Sequence, residues 1–396
     1  MKIDWLKPLL GTAGPFATVF LDVTRDGDAG EREVENRWRG VVRSLVRDGA
    51  PQATVDLLEQ AVMRPTHVRG PHAKVVVAND DGVLVDRVVG APPATPVASY
   101  GPVPVLLPAG RAAEQSVDRL VVVVDRTGAD LRWSRSGPDG IDQGAETVEG
   151  DHDEVSKAAV GGTAQRRVEA RAEDSWGRNA ETVARRVEAS VAERRPEVVI
   201  LTGDVRAAGL VKAALGRPVL ALVRDVPGGV RGEAPSAAFT GRCAEVVDEV
   251  RTARRAVVLD ALREGQGRAS GGVSSLEDVV AVLARGQVAE LVLGDELLAT
   301  AGDGQREVWV GPSPLHVGTS REAIAEMGVE DEIHRYPVGV ALVRAALGQD
   351  AGVTFAPAGS VALTDGVGAV LRWTDDGTPS ESAVSMSGDS RRLHEL

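Results

Sequence analysis

Between His152 and Arg167 the sequence collects residue types that can do chemistry in one short run: Gly161-Gly162, then Thr163, Ala164, Gln165, Arg166 and Arg167. Glycines let a backbone approach RNA or an ester closely, and they accept angles that other residues avoid. Thr163 can cap the amides that open a helix. A glutamine amide is a poor general base, so Gln165 would act by orienting a water or a sugar hydroxyl, which is a positioning role. Arg166 and Arg167 offer planar, bidentate donors suited to phosphate. The plain structural reading stands beside this one, in which a glycine pair and a cap simply start a helix. His152 has no Ser or Cys nucleophile at a telling spacing, and as a lone histidine in a polar loop it reads as solvated.

A tip of this kind needs a support. From Val168 through Ala172, Trp176, Asn179, Val183 and Val187 the apolar face recurs every three or four residues without a proline, which marks one side of a long helix. Trp176 falls on that face and reads as core, not as a platform for bases. Arg171 and Arg178 follow on successive turns but have Glu169 and Glu173 as neighbours, so phosphate contact is assigned to Arg166 and Arg167 alone.

The rest of the chain alternates strands and helices. Phe16–Val23 reads as a strand, Val34, Trp38, Val41 and Leu45 as a helix face, Thr54–Val62 as a second helix, and Lys74–Val89 as a hairpin turning at Asp81-Gly82. The prolines from Pro92 to Pro108 predict irregular structure. Asp118–Asp125 and Ala129–Trp133 form a second hairpin, and the acidic stretch from Ser134 to Glu154 reads as a mobile, solvated loop. Glu197–Asp204, a helix from Val205 to Leu215 and a strand from Pro218 to Val223 make a parallel α/β unit. A helix from Ala244 to about Arg263 follows, then a flexible joint at Glu264–Gly272. Beyond it come a helix capped by Ser275 and ended by Gly286, strands at Val288–Gly294 and Arg306–Val310, continued alternation through Val338–Leu347, and a last strand at Asp365–Trp373. The expectation is an α/β fold with an α+β first domain, in three domains: 1–115, 116–265 and 270–396.

The totals narrow the function classes. A chain of 396 residues is too long for one ordinary core. Its 43% hydrophobic and 26% charged residues are those of a globular protein, and no apolar run is long enough to span a membrane. The N-terminus lacks the pattern of a signal peptide, and Cys243, the single cysteine, fits a reducing compartment, so a cytoplasmic location is expected. The 6 histidines lack ligand spacing, and Asp204 and Asp225 read as caps or loop residues, so no metal is expected. No phosphate-binding glycine loop follows a strand, so no nucleotide cofactor is expected either. A net charge of -13 argues against gripping nucleic acid over the whole surface but allows a local basic patch.

Three stretches resemble the archaeal and eukaryotic class I release factor and Pelota family, in its bacterial branch, which includes the Balon-type ribosome hibernation factors. His152, Lys157, Gly161-Gly162-Thr163-Ala164-Gln165-Arg166-Arg167, Arg171, Glu173, Trp176 and Asn179 look like that branch's loop and helix. Leu276–Asp295 is similar to a helix and strand of the family's third domain, and Asp365–Arg372 to its closing Gly-Ile-Gly-Gly-Ile-Leu-Arg strand. The resemblance implies a release-factor-like architecture with mixed sheets flanked by helices, whose last domain is of ribosomal-protein type. It also implies RNA contact at Gly161, Gly162, Thr163, Arg166 and Arg167, with His152 and Lys157 beside them.

The departures bear on function. True release factors present Gly-Gly-Gln at the peptidyl transferase centre, whereas Thr163 holds that position here and Gln165 lies two residues later. A quality-control tRNA hydrolase of the superfamily also lacks strict Gly-Gly-Gln yet uses a nearby glutamine, so Gln165 stays a catalytic candidate. There is no Asn-Ile-Lys-Ser, and Cys243 lies in the wrong domain for a Tyr-x-Cys motif, so stop-codon reading is not supported. What the resemblance implies is occupation of the tRNA-binding (A) site of the ribosome under stress or hibernation. The partners would be rRNA, tRNA and an elongation-type GTPase reached through the last domain. Two alternatives remain: a peptidyl-tRNA hydrolase that rescues stalled ribosomes, and a stress-induced scaffold that binds protein and never meets RNA.

Overall fold

The computed structural model of the chain describes residues 3–25, 30–90, 92–137, 140–150, 163–268, 270–295, 297 and 306–379, with Asp4, Ser136, Gly137 and residues 163–174 described by backbone alone. It is a mixed α/β structure, and packing divides it into two compact units: Met1–Gln115 together with Ala253–Leu396, and Ser116–Thr252. Among the described residues one sheet lies within 1–115, one within 116–265 and two within 270–396. Among the described residues no helix is long and apolar enough to cross a membrane.

The first unit contains an antiparallel sheet in the order β3-β2-β1-β4, from β1 (Phe16–Asp22), β2 (Ala73–Asn79), β3 (Gly82–Val89) and β4 (Val97–Gly101). Helices α1 (Gly30–Arg47) and α2 (Gln52–Met63) cover one face through Val34, Trp38, Leu45 and Leu58, which pack with Val19 and Leu21. Phe16, Phe20 and Val75, on the opposite face, share one core with Leu291, Leu342 and Phe355 of the last segment. A register so strictly divided between two cores fixes which way every strand faces. The proline-rich stretch is more ordered than expected. It pairs as β4 against β1, then enters helix α3 (Leu107–Gln115) with Pro108 in the first turn, where a missing N–H costs nothing.

The second unit is built on the sheet β7-β6-β5-β8-β9. Strand β5 (Arg119–Val124) runs antiparallel to β6 (Gly128–Gly137), which pairs with β7 (Gly140–Glu149). It runs parallel to β8 (Val198–Gly203), which in turn is parallel to β9 (Val223–Asp225). The solvated loop expected from Ser134 to Glu154 is corrected over residues 134–137 and 140–149, which belong to the paired strands β6 and β7. Its acids are charge-paired: Asp142 accepts from Arg135 Nε at 2.7 Å, and Glu146 from Arg186 at 2.8 Å. Gly144 admits the Trp133 ring, whose nearest atom lies 2.1 Å from where a Cβ would be. Composition suggested solvation because strand alternation was masked by glycines and cross-strand ion pairs.

Helix α4 (Thr163–Arg194) and α5 (Val205–Ala214) cover one face of this sheet, with Val183, Val187 and Val211 against Leu120, Val122, Val199 and Leu201. The strand expected at Pro218–Val223 is instead a short helix, α6 (Arg217–Leu222), because proline suits a helix's first turn and cannot donate within a ladder. Helix α7 (Ala237–Gly267) covers the other face through Phe239 and Val247, packed on Val198 and Ile200. The flexible joint expected at Glu264–Gly272 is helix as far as Gly267. Gly265 makes this possible, since a Cβ there would fall 2.6 Å from the backbone nitrogen of Gly272.

The last segment holds a second mixed sheet, β10-β16-β11-β15, made of β10 (Gly272–Val273), β11 (Val288–Gly294), β15 (Gly352–Ala356) and β16 (Val367–Leu371). A three-stranded sheet joins β12 (Glu307–Val310), β13 (Val317–Gly318) and β14 (His334–Pro337). Its described helices include α8 (Leu276–Ala284), α9 (Arg321–Glu326) and α10 (Val338–Gly348). Ser275 caps α8 through the amide of Asp278, and Gly286 at φ 73° ends it, both as expected.

Gly203, where β8 ends, has φ +116°, and a Cβ there would sit 1.9 Å from the Val124 carbonyl oxygen. Gly203→Ala must therefore strain the backbone and push β5 and β8 apart. It is expected to destabilise the second unit by more than about 1 kcal/mol in urea unfolding followed by circular dichroism.

Candidate functional site

The expected tip divides into two parts. His152, Lys157, Gly161 and Gly162 lie outside the described residues. Thr163, Gln165, Arg166 and Arg167 open the backbone of α4, which begins at Thr163. The sequence placed a helix directly after the glycine pair, and the helix is there.

The architecture fixes where that beginning lies. Helix α4 feeds β8 at the amino end of the strand, so its own N-terminus points toward the carboxyl edge of the parallel strands, the edge at which open α/β sheets present their sites. Trp176 marks the level of that edge. Arg126, just past β5, stacks on its ring at 4.5 Å, and Arg206, just past β8, at 5.1 Å. Gln165 lies about 16 Å along the helix axis before Trp176, at the ordinary helical rise. The first turns of α4 thus extend past the sheet that supports the rest of the helix.

Two buried contacts hold α4 at this point. Asn179, 3% exposed, donates from Nδ2 to the Arg126 carbonyl at 3.1 Å. Gly150, the last described residue before α4, sits so close to Asn179 that a Cβ would fall 2.1 Å from its side chain. The Gly150 amide donates to the Thr127 carbonyl at 2.7 Å. The chain therefore leaves β7 against the same helix that it re-enters at Thr163. Trp176 is 6% exposed, in agreement with its reading as core. Arg178 is exposed on the other side of the helix.

Around this collar the charges are arranged in two groups. Arg126 Nε lies 3.5 Å from Asp204, which also caps α5 by accepting from the amides of Arg206 and Ala207 at 2.9 Å each. Asp225, the other carboxylate considered for a metal, pairs instead with Lys212 at 2.6 Å. The second group centres on Arg231, whose side chain is 11% exposed and which meets Asp125 at 3.1 Å, Asp130 at 3.5 Å and Glu149. It also donates to Thr127 Oγ1 at 2.6 Å. The loop after β9 is thereby tied to the turn after β5 and to the end of β7, one residue before Gly150. Burial alone would raise the Asp125 carboxyl, but hydrogen bonds from Thr127 and Gly128 and the charge of Arg231 outweigh it and hold the group below the ordinary carboxylate range.

Arg126, Arg206, Arg231 and Gly150 were not singled out in the sequence. They are separated by scores of residues, and only the strand order brings them together. Asn179 carried a signal, as a polar residue on an otherwise apolar helix face one turn from Trp176.

A carboxylate with a depressed pKa stabilises the fold above its unfolded pKa and loses that contribution as pH falls through the folded value. In Arg231→Gln, Asp125, Asp130 and Glu149 repel one another at neutral pH and are relieved by protonation. Urea unfolding should therefore show Arg231→Gln less stable than wild type at pH 7. The gap should close as pH falls below about 4, the ordinary carboxylate range.

Comparison with known proteins now bears on this site. Residues 118–268, which contain the sheet, the collar and α4, match the model of Bacterial archaeo-eukaryotic release factor family 2. The uncharacterized proteins Rv2629 and MT2704 of Mycobacterium tuberculosis, strains H37Rv and CDC 1551, are each 28% identical to the chain over 386 residues, which span 94% of it and 97% of the relative. Among solved structures, Archaeoglobus fulgidus Pelota is 13% identical over 94% of this chain and 92% of its own, with a TM-score of 0.35. Dom34 of S. cerevisiae, described as a translation termination-like factor involved in RNA quality control pathways and interacting with Hbs1, is 8% identical over 78% of this chain and 81% of its own, with a TM-score of 0.38. It is over the segment 118–268 that the chain is similar to the bacterial branch of the archaeo-eukaryotic release factors.

Proposed function

We propose that this protein is a three-domain cytoplasmic factor that occupies the tRNA-binding (A) site of the ribosome in stressed or hibernating cells and reads no stop codon. The observation that carries the reading is the anchoring of α4. The segment that matches the release-factor family holds this helix at Trp176 and Asn179, at the carboxyl edge of its sheet, and the helix opens on Gln165, Arg166 and Arg167 beyond that edge. A rigid stalk of this kind suits the delivery of a small polar tip into a deep RNA cavity. Arg166 and Arg167 would contact phosphate, together with Gly161, Gly162, Thr163, His152 and Lys157, and exposed Arg178 extends the cationic side of the stalk. The shift from Gly-Gly-Gln to Gly-Gly-Thr-Ala-Gln favours occupying the catalytic centre over releasing a peptide. Delivery by an elongation-type GTPase through the last segment completes the proposal.

Cosedimentation with ribosomes from stationary-phase cells tests it. The expected result is a ribosome-bound fraction that dissociates as salt is raised. In the double variant Arg166→Ala/Arg167→Ala the slope of log affinity against log salt should fall by about one to two units, one for each phosphate that the variant leaves without its arginine. A protein confined to the ribosome-free fraction refutes the reading.

Peptidyl-tRNA hydrolysis on stalled ribosomes is the second reading, favoured by Gln165 lying in the first turn of α4. It expects release of nascent peptide that Gln165→Ala abolishes, and A-site occupancy alone expects no release from either form.

A further inference from the structure

The first unit holds a cleft of about 700 Å³, within the size range of small-molecule sites. Pro15, Pro104, Leu106, Pro314 and Leu347 give it apolar walls, and Arg344 of α10 is the cation that lines it. Arg344 is the one charged residue on a helix whose other positions from Val338 to Leu347 are buried. Its Nη1 donates to the carbonyls of Gly311 at 3.0 Å and Ser313 at 3.2 Å, and its Nη2 to that of Pro312. Among the described residues no carboxylate lies within ion-pair distance of it.

A guanidinium carries five N–H donors, and these three carbonyls leave part of the fork without a protein acceptor. Neutral dipoles also do not neutralise a charge. Burial draws the Arg344 guanidinium down to about 10 from its usual value, as expected of a cation taken out of water without a counter-ion. An entering anion would form a charge-assisted, bidentate pair there. Glu332 also lines the cleft, so an anionic group is favoured at Arg344 and disfavoured beside Glu332, which sets one orientation for a ligand.

We propose that this cleft binds a small carboxylate with an apolar body, its carboxylate on Arg344 and its body along the partly exposed Leu10, Pro15 and Pro314. The site is independent of the tip on α4 and of any ribosome, and its occupancy would add ligand binding to whatever the second unit does.

Calorimetric titration of the full chain with 4-phenylbutyrate tests this, with 4-phenylbutylamine as the charge-reversed control. The expected result is saturable binding of the carboxylate at one site, with the amine weaker by about tenfold or more. Arg344→Gln should weaken the carboxylate by a similar factor. Because Arg344 also ties down Gly311, Pro312 and Ser313, a second variant is needed. Ala13→Phe lies on the cleft wall, touches none of those bonds, fills the space, and should weaken binding while leaving the thermal unfolding of the chain unchanged. Absence of saturable phenylbutyrate binding to the wild type overturns the proposal. So does equal affinity for the amine, or wild-type affinity in Ala13→Phe.

Discussion

A helix that runs on past its sheet has to be gripped where the two part, and here the grip is one tryptophan and one asparagine. Trp176 carries a guanidinium from each of the two strand ends that flank it, while Asn179 fixes the backbone of Arg126 from below. Neither contact is worth much alone. A cation over an indole contributes about 0.5–2 kcal/mol, and a buried amide bond to a carbonyl about 1. Their value lies in position. They hold α4 at the carboxyl edge of the sheet, and the close approach of Gly150 brings the end of the β7 segment to the same point.

The electrostatics of the second unit follow from that geometry. In a chain of net charge -13, the carboxyl edge of the sheet brings Arg126, Arg206 and Arg231 close to acids with which each can pair. Asp204 satisfies the amides of α5 and steadies Arg126, so this acid is occupied with the backbone. Arg231 does the reverse, gathering Asp125, Asp130 and Glu149 around a single cation. The acids at this edge are thereby engaged with protein groups instead of being presented to solvent in isolation.

Much of this was legible in the sequence, for identifiable reasons. Period gave the α4 face from Trp176 onward and α1 with its Val34, Trp38, Val41 and Leu45, while the hairpin was legible from Gly82, whose positive φ opens β3 just after a turn at Asp80-Asp81, one residue earlier than expected, because each rests on local geometry. The misread stretches share a different cause. Pro218 and the prolines before Gln115 look like breakers until a helix's first turn is there to accept them. The acids of β7 look like a solvated loop until Arg135 and Arg186 arrive from other elements. The collar was invisible because Arg126, Arg206 and Arg231 become neighbours only through the order β7-β6-β5-β8-β9. The tip was visible as residue types, and its chemistry rests on likeness to a family more than on spacing.

The contacts that hold α4 have one more property. Trp176, Asn179, Arg126, Arg206 and Gly150 are all outside the run from Gly161 to Arg167, so no bond in the collar depends on which residues stand at the tip. The arrangement works like a chuck that grips a shank and leaves the cutting end interchangeable. A chain built on it can change the residues from Gly161 to Arg167 without having to re-solve how the domain folds.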